Sequence, residues 1–510
     1  MSGCSTAISG PPPQTDGAEP AAPEAAKSAN GKPASDALAR SLSALVGQEQ
    51  WDVYYLGGAR LGYAVTRWKA LPGQADLIEA QGALRLSVKR FGEESTSEVK
   101  MSVVETLSGE VQSFTSDTKM GPTPGIVAGR VGDGTIEITI SSGGQKRRSS
   151  MPWPREARGY FAVEESLRLR PMQPGESRTL STLMPVFNQV GKIELRAKQL
   201  ESTSLLQGKR ELLRIETITT LPGAKPIDGV QWTDADGVTL KTVVTGLDQV
   251  AYRTTKEEAL RKSDAQVLDL GLSSLVRLAR PPADPHHAKQ IVYRVHLDGG
   301  DPATVFVSDD SQRVTAVDAH TADVLVRAVR PGGLAKDSPE RTAPTDDDRQ
   351  PNSFIQSDDP KIIAMARDAA GAEQDPWRTA VALERYVHDK VAEKNYSQTF
   401  ATAAEVAQSL EGDCTEHAVL LAALLRARGI PARVAVGLVY VPTEHAFAFH
   451  MWTEALIAGQ WIGLDGTLGL GGIGAGHLKL AATNLKESTA LASFLPVAQV
   501  LGKMKIEVRP

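Results

Sequence analysis

The chain has 510 residues, 41% hydrophobic and 23% charged, which supplies enough apolar side chains for more than one packed core and at least two domains. Its net charge is −5 and its lysines and arginines are scattered along the sequence, which excludes the basic face of a nucleic-acid-binding protein. No uncharged apolar run approaches the ~18 residues of a membrane-spanning helix; the longest, "AVLLAALL" at 418–425, has the length of a buried helix segment.

Residues 1–47 read as a disordered tether: the stretch 5–37 is rich in Pro, Ala, Ser and Gly and has too few large apolar side chains to fold. The opening "MSGC" resembles the end of a bacterial lipoprotein signal, in which the cysteine becomes the lipid-bearing residue. That resemblance implies a lipid anchor at Cys4 and a place in the cell envelope, periplasmic or otherwise outside the cytoplasm. The stretch before Cys4 holds neither the positive charge nor the apolar segment of such a signal, and with the N-terminus unprocessed as written the chain is cytoplasmic. Cys4 and Cys414 are the two cysteines, too few for a disulfide framework.

From residue 48 the pattern changes to short alternating segments such as "WDVYYLGGARLGYAVTRW", "TIEITISS" and "RELLRIETITT". Period-2 alternation broken by Gly and Asp-Gly turns predicts antiparallel strands, with a hairpin at "TDADGVT", 233–239. Residues 48–280 are expected to form one antiparallel β-domain, a curved sheet or half-closed barrel, with a helix or two covering it near "TKEEALRKSDAQVLDL". A second strand cluster within 281–329 predicts a small β-module or a continuation of that domain.

The polar, Pro-rich and acidic "RPGGLAKDSPERTAPTDDDRQPNS", 330–353, predicts an exposed connection within a linker at 330–357. A C-terminal domain over 358–510 follows, opening with helical patterns; "DPWRTAVALERYVHDKVAEK" begins with Asp375 as N-cap and Pro376 at the first helical position.

"GDCTEHAVLLAALLRARGIPAR", 412–433, predicts a helix capped by Asp413 or a neighbour and stopped by Gly429 and Pro431. Cys414 falls in its first turn, where unpaired N–H groups and the positive end of the helix dipole favour thiolate over thiol and offer donors to an oxyanion. A lone helix cysteine is more often a small core residue; a base and an orienter nearby decide otherwise.

Downstream, "RVAVGLVYV", "FAFHMWTEALI" and "QWIGLD" predict three strands. A two-residue hairpin loop at Ala458-Gly459 pairs Trp452 opposite Asp465, and alternation then puts His450, Trp452 and Asp465 on one face. His450 and Asp465 become diagonal neighbours, ~7–8 Å apart at the backbone, whereas a one-residue slip sends Asp465 to the other face. Glu454 shares the His450 face and is the reserve orienter.

Gly-Asp-Cys opening a helix that ends in Gly-Ile-Pro-Ala-Arg, His450-Met451-Trp452, and Trp461 four residues before Asp465 occur in the order that resembles the transglutaminase-like superfamily. The similarity covers about 360–480. It implies a papain-like α+β core with no cofactor and no metal, in which Cys414 is the nucleophile, His450 the general base and then acid, and Asp465 the group that fixes the imidazole tautomer. The lead-in "NYSQTFATAAEVAQSLEGDC" is also similar, placing Tyr396 near the oxyanion site, with Trp452 as substrate-site support beside His450. The implied reaction is acyl transfer through a thioester, ending in hydrolysis with water or a crosslink with a lysine amine. Protein or peptide amides are the expected substrates, peptidoglycan peptides included. The alternative is a catalytically silent binding or scaffolding protein, against which the intact Cys, His and Asp argue. The whole chain is therefore expected to be α+β, a large N-terminal antiparallel β-domain followed by a C-terminal transglutaminase-like domain.

The remaining candidates read as structural. His417 at i+3 from Cys414 has no orienting partner in sequence and reads as structural or as a substrate-side accessory, His445 lies in a turn, and His286-His287 lack ligand spacing to other metal-binding residues. "GTLGLGGIGAGH", 466–477, lacks the Lys-Ser/Thr of a phosphate loop and is expected to bring backbone close to the site. His477 at its end has no assignment.

Overall fold

Alternating residues from 49 to 254 fold as strands because one face can then be buried while each Gly or Asp-Gly turn reverses the chain. The computed structural model describes residues 42–90, 92–119, 125–142, 145–184, 187, 189–222, 226–245, 247–261, 269, 274–333, 343–391, 400–486, 497, 500 and 502–509. Cys4 and residues 1–41 of the expected tether lie outside them; its last residues, 42–47, are folded against the large sheet, with Leu42 and Leu45 buried beside Trp68 and Ile78, because these two leucines supply the large apolar side chains that the preceding stretch lacks. Among the described residues, fourteen antiparallel strands form one sheet. The first eight, Glu49–Leu56 to Gln145–Pro152, pair in sequence order, as do the last six, Ser177–Met184 to Gln249–Thr254. The first and last of them join in the middle, Trp51 opposite Thr254. At the 233–239 hairpin the Asp234 carboxylate accepts from the N–H groups of Asp236 and Val238.

Laid flat, the two edges of such a sheet would stand about 60 Å apart. Instead, Trp153, just past one edge strand, donates its N–H to Gly134 O, and Arg158 donates to Ser181 O in the other edge strand. Five residues span at most about 17 Å, so the sheet curls into an incomplete barrel. The helix Ala162–Leu169 that follows lies on the sheet: Glu165 accepts from Trp68 Nε1 at 3.4 Å, and Glu164 receives both terminal nitrogens of Arg253. No helix among the described residues is long and apolar enough to cross a membrane.

Strands Gln290–Leu297, Gln312–Asp318 and Thr321–Arg327 form a separate sheet, whose fourth member, Met504–Val508, comes from the far end of the chain. In the C-terminal region, Ala432–Val441 pairs with Ala446–Ile457 and His477–Thr483, and both Gln460–Leu464 and the short strand Val276–Arg277 pair on the other side of Ala446–Ile457. One end of this sheet packs Val434, Val436, Met451 and Ala455 against the helices Pro360–Ala370, Pro376–Lys390, Ala403–Ser409 and Cys414–Ala427. Its other end packs Leu438, Tyr440 and Phe447 against Tyr293, Val295 and Val324 of the small sheet. The fold is α+β.

The 330–353 stretch differs from the exposed connection that its composition predicts. In its described part Asp348, Asn352 and Ser353 are buried, and Ile355, just beyond, has no exposed surface. The Asn352 carboxamide oxygen accepts from the N–H groups of Phe354 and Ile355 while its nitrogen donates to Asn484 O. A polar segment is thus held down by hydrogen bonds to backbone, which composition does not report.

Candidate active site

Asp413 caps the Cys414–Ala427 helix, its side chain accepting from the Thr415 and Glu416 N–H groups while Glu416 reaches back to the Asp413 N–H at 2.9 Å. This reciprocal box fixes Cys414 as the first helical residue. Gly412 is required just before it, since φ is 155° and a Cβ there would lie 2.2 Å from Glu416 Cβ. Glu416 also accepts from Ala401 N–H, and burial, followed by the neighbouring Asp413, raises its carboxyl above the usual range. These contacts narrow the oxyanion expectation. Thr415, Glu416 and His417 N–H groups are all committed to Asp413, leaving the Cys414 N–H as the first-turn donor.

Ala458 and Gly459 have φ of 51° and 75°, the left-handed pair that a type I′ hairpin loop demands. The resulting register sets Thr453 opposite Leu464, and the next pair is Trp452 and Asp465. His450 Nε2 then lies 2.8 Å from Asp465 Oδ2. The Cys414 sulfur acts on the same imidazole, by its charge and by hydrogen bonding, to hold its proton. The structure therefore brings Cys414, His450 and Asp465 into one hydrogen-bonded chain.

Burial alone would drive the His450 proton off. The Asp465 carboxylate and the Cys414 sulfur outweigh it, and the imidazole is pushed up to about 10. Asp465, also penalised by burial, is held well below the ordinary carboxylate range by His450 and by a hydrogen bond from His477. Opposite shifts on adjacent groups mark an ion pair maintained at neutral pH.

Trp452 lies beside the His450 ring, 6.4 Å between centroids and 17° between planes. Its Nε1 has no hydrogen-bond partner among the described residues. Tyr396 lies outside the described residues. Glu454 does not reach the triad: its carboxylate pairs with Arg433 at 2.8 Å and with Lys479, which also pairs with Asp309. Side-chain alternation put Glu454 on the right face, but two cations from neighbouring strands claim it. His417 turns both ring nitrogens to backbone oxygens, Asp413 O at 2.6 Å and Val391 O at 3.0 Å, a bracing role. His445 is exposed.

Two neighbours of Asp465 were not assigned from sequence. Glu384, on the Pro376–Lys390 helix, accepts the Asp465 N–H at 2.7 Å and the Gly472 N–H at 2.9 Å, pinning the start and the middle of the glycine-rich loop. Its signal was a carboxylate within the buried stripe of Ala380, Leu383 and Val387, where an unpaired charge is not tolerated. Burial pushes Glu384 up to about 7. Glu384→Ala is expected to remove about 2–4 kcal/mol of stability, because two buried N–H groups lose their acceptor. A carboxyl whose folded pKa is raised stabilises below its unfolded value and loses that contribution as pH climbs through the folded one. Chemical denaturation should accordingly show a larger penalty at pH 5 than at pH 8.

His477 is the second. Its Nε2 lies 3.0 Å from the same Asp465 Oδ2 that His450 uses. Among the described residues, His450, Asp465 and His477 bring three potential metal-ligand atoms within 4.8 Å of one another. Their paired spacings, 2.8 and 3.0 Å to one carboxylate oxygen, are those of N–H···O hydrogen bonds. His286, on the segment before the small sheet, stands 5.9 Å from the His477 ring and directs its own Nε2 at Tyr440 O.

Residues 363–466 match the family described as the transglutaminase-like superfamily. Cys414, His450, Asp465 and Glu384 all lie inside that span, and His477 lies beyond it. No curated protein matches the chain. Over 42% of its length the chain is similar to a candidate cysteine protease from Cytophaga hutchinsonii, at 18% identity over 83% of that chain with a TM-score of 0.27. It is also similar, over 41%, to a β-barrel-like protein of a domain of unknown function from Brucella abortus, at 10% identity over 95% of that chain with a TM-score of 0.32. A third likeness covers 69%, to a candidate protease from Parabacteroides distasonis, at 13% identity over 64% of that chain with a TM-score of 0.19.

Proposed function

We propose that the transglutaminase-like domain carried by residues 363–466 performs cysteine-dependent acyl transfer on protein or peptide amides, peptidoglycan peptides among them. The observation that carries this reading is the hydrogen-bonded chain from Cys414 through His450 to the buried Asp465. Cys414 sulfur attacks the amide carbonyl carbon, and the oxyanion that develops is met by the Cys414 N–H. His450 passes its proton to the departing nitrogen, the C–N bond breaks, and a thioester remains. Water or an amine, deprotonated by His450, then attacks the thioester and releases the thiolate, which gives hydrolysis or a crosslink.

The test is the rate of iodoacetamide alkylation at Cys414 at neutral pH in a Cys4→Ser background, with and without His450→Ala. Alkylation is expected to be fast in the native protein and to slow about tenfold or more when His450 is removed. A rate indifferent to His450 would overturn the reading. The envelope setting belongs to the same proposal and rests on the Ser-Gly-Cys opening and its stalk; the intact mass of the native protein reads a lipid at Cys4 directly.

A further inference from the structure

Asp465 is served by two histidines, and the triad uses one. His477 opens the His477–Thr483 strand opposite Val439, one strand over from the Gly437–His450 pair. Its side chain is 1% exposed, and its ring packs edge-on against Trp452 at 5.1 Å. Gly476 before it lets the chain pass, since a Cβ there would lie 2.9 Å from His286 Nδ1.

Hydrogen-bond accounting fixes the state of this imidazole. Asp465 is ionised and can only accept, so Nε2 of His477 must carry a proton to bond Oδ2 at 3.0 Å. Its Nδ1 is buried with no hydrogen-bond partner among the described residues. A proton there would place an unpaired N–H in the interior. The facing groups agree in sum. Burial disfavours the cation, the Asp465 carboxylate favours it, and the His450 imidazolium and His286 disfavour it, with a net lowering. His477 is thus a neutral Nε2–H donor, beside a His450 that holds two protons.

We propose that His477 is a positioning residue of the triad, a neutral clamp that holds the Asp465 carboxylate in the orientation that receives His450. Thr467 N–H holds the other oxygen, Oδ1, at 2.8 Å, so the carboxylate is fixed from both sides and the imidazolium meets an acceptor that cannot rotate away. His477 transfers no proton and touches no substrate. Its effect on rate rests on the acyl-transfer reading above, whereas its tautomer does not.

His477→Leu removes the donor; His477→Gln retains an N–H at a comparable distance from Cβ. In the Leu variant kcat is expected to fall about ten- to hundredfold, the range for losing a partner that orients a functional group, with KM within twofold. Cys414 alkylation at neutral pH should slow as well, because a loosened carboxylate holds the His450 imidazolium less firmly beside the sulfur. The Gln variant should regain most of both. Equal impairment by Leu and Gln would make the role one of packing and overturn the proposal, as would a Leu variant with wild-type kcat and alkylation rate.

Should the Leu variant fail to fold, histidine-labelled native protein still decides, with the His477 signals identified by their loss in the Gln variant. Long-range proton–nitrogen correlations are expected to show His477 as the neutral Nε2–H tautomer from about pH 6.5, the ordinary imidazole value, to pH 9. An Nδ1–H tautomer, or titration within that range, overturns the clamp. A wild-type Cys414 without activation would overturn the acyl-transfer reading instead, leaving the tautomer result to stand separately.

Discussion

Under the proposed function, Cys414→Ala is expected to end amide hydrolysis and lysine crosslinking together, with a fall in kcat of about 10⁴-fold or more. In the proposed reaction both products pass through one thioester, so no branch would survive loss of the sulfur. His450 and Asp465 remain paired in the variant but have nothing to activate. The fold is retained, because Cys414 is half-buried at the rim of the helical core and the capping box that sets the helix start uses Asp413 and Glu416. The measurements are ammonia release from a glutamine peptide, peptide-bond cleavage and amine incorporation, beside a thermal melt. Wild-type rates from the alanine variant on every accepted substrate would remove the triad from the chemistry.

Asp465→Asn is expected to lower kcat by roughly 10³-fold while leaving KM nearly unchanged, since its carboxylate orients and charges the base without touching substrate. Asn offers at most one acceptor oxygen where His450 Nε2, His477 Nε2 and the Thr467 N–H converge. Losing the carboxylate also removes the strongest force holding the proton on the buried His450, so its pKa drops from about 10. Alkylation of Cys414 at neutral pH is expected to slow with it.

The variant's stability should report the same pair. Asp465 is depressed in the folded state, so its contribution is present above the unfolded carboxylate value and fades as pH falls through that range. His450 is raised, so its contribution is complete below about 6.5 and is lost as pH rises toward about 10. The destabilisation by Asp465→Asn is therefore largest between about pH 4 and 6.5 and shrinks on the alkaline side. Denaturation midpoints at pH 5.5 and 9.5 check it; a penalty flat across that range would mean that no ion pair forms.

The three residues proposed for chemistry were legible because each sits in a local signal. Cys414 follows a cap and precedes an apolar helix. His450 and Asp465 are tied by a two-residue turn, and once Ala458 and Gly459 adopt positive φ the register has no freedom left. The antiparallel character of residues 48–255 was legible for the same reason. Glu454 shows where local logic fails: alternation placed it on the His450 face, yet Arg433 and Lys479 hold it, and Lys479 arrives from a strand whose register no turn fixes.

By itself, then, the sequence determined the helix start at Cys414, the hairpin at Ala458-Gly459 and hence the pairing of His450 with Asp465, because caps and tight turns are decided by residues within a few positions of one another. Only the tertiary structure decided that Glu384, 81 residues before Asp465, pins its backbone, that His477 shares its carboxylate oxygen, and that the strand Met504–Val508 joins the small sheet. Those placements follow from how helices and sheets pack across long loops, where the energy lies in burying surface and satisfying buried polar groups rather than in any neighbouring residue.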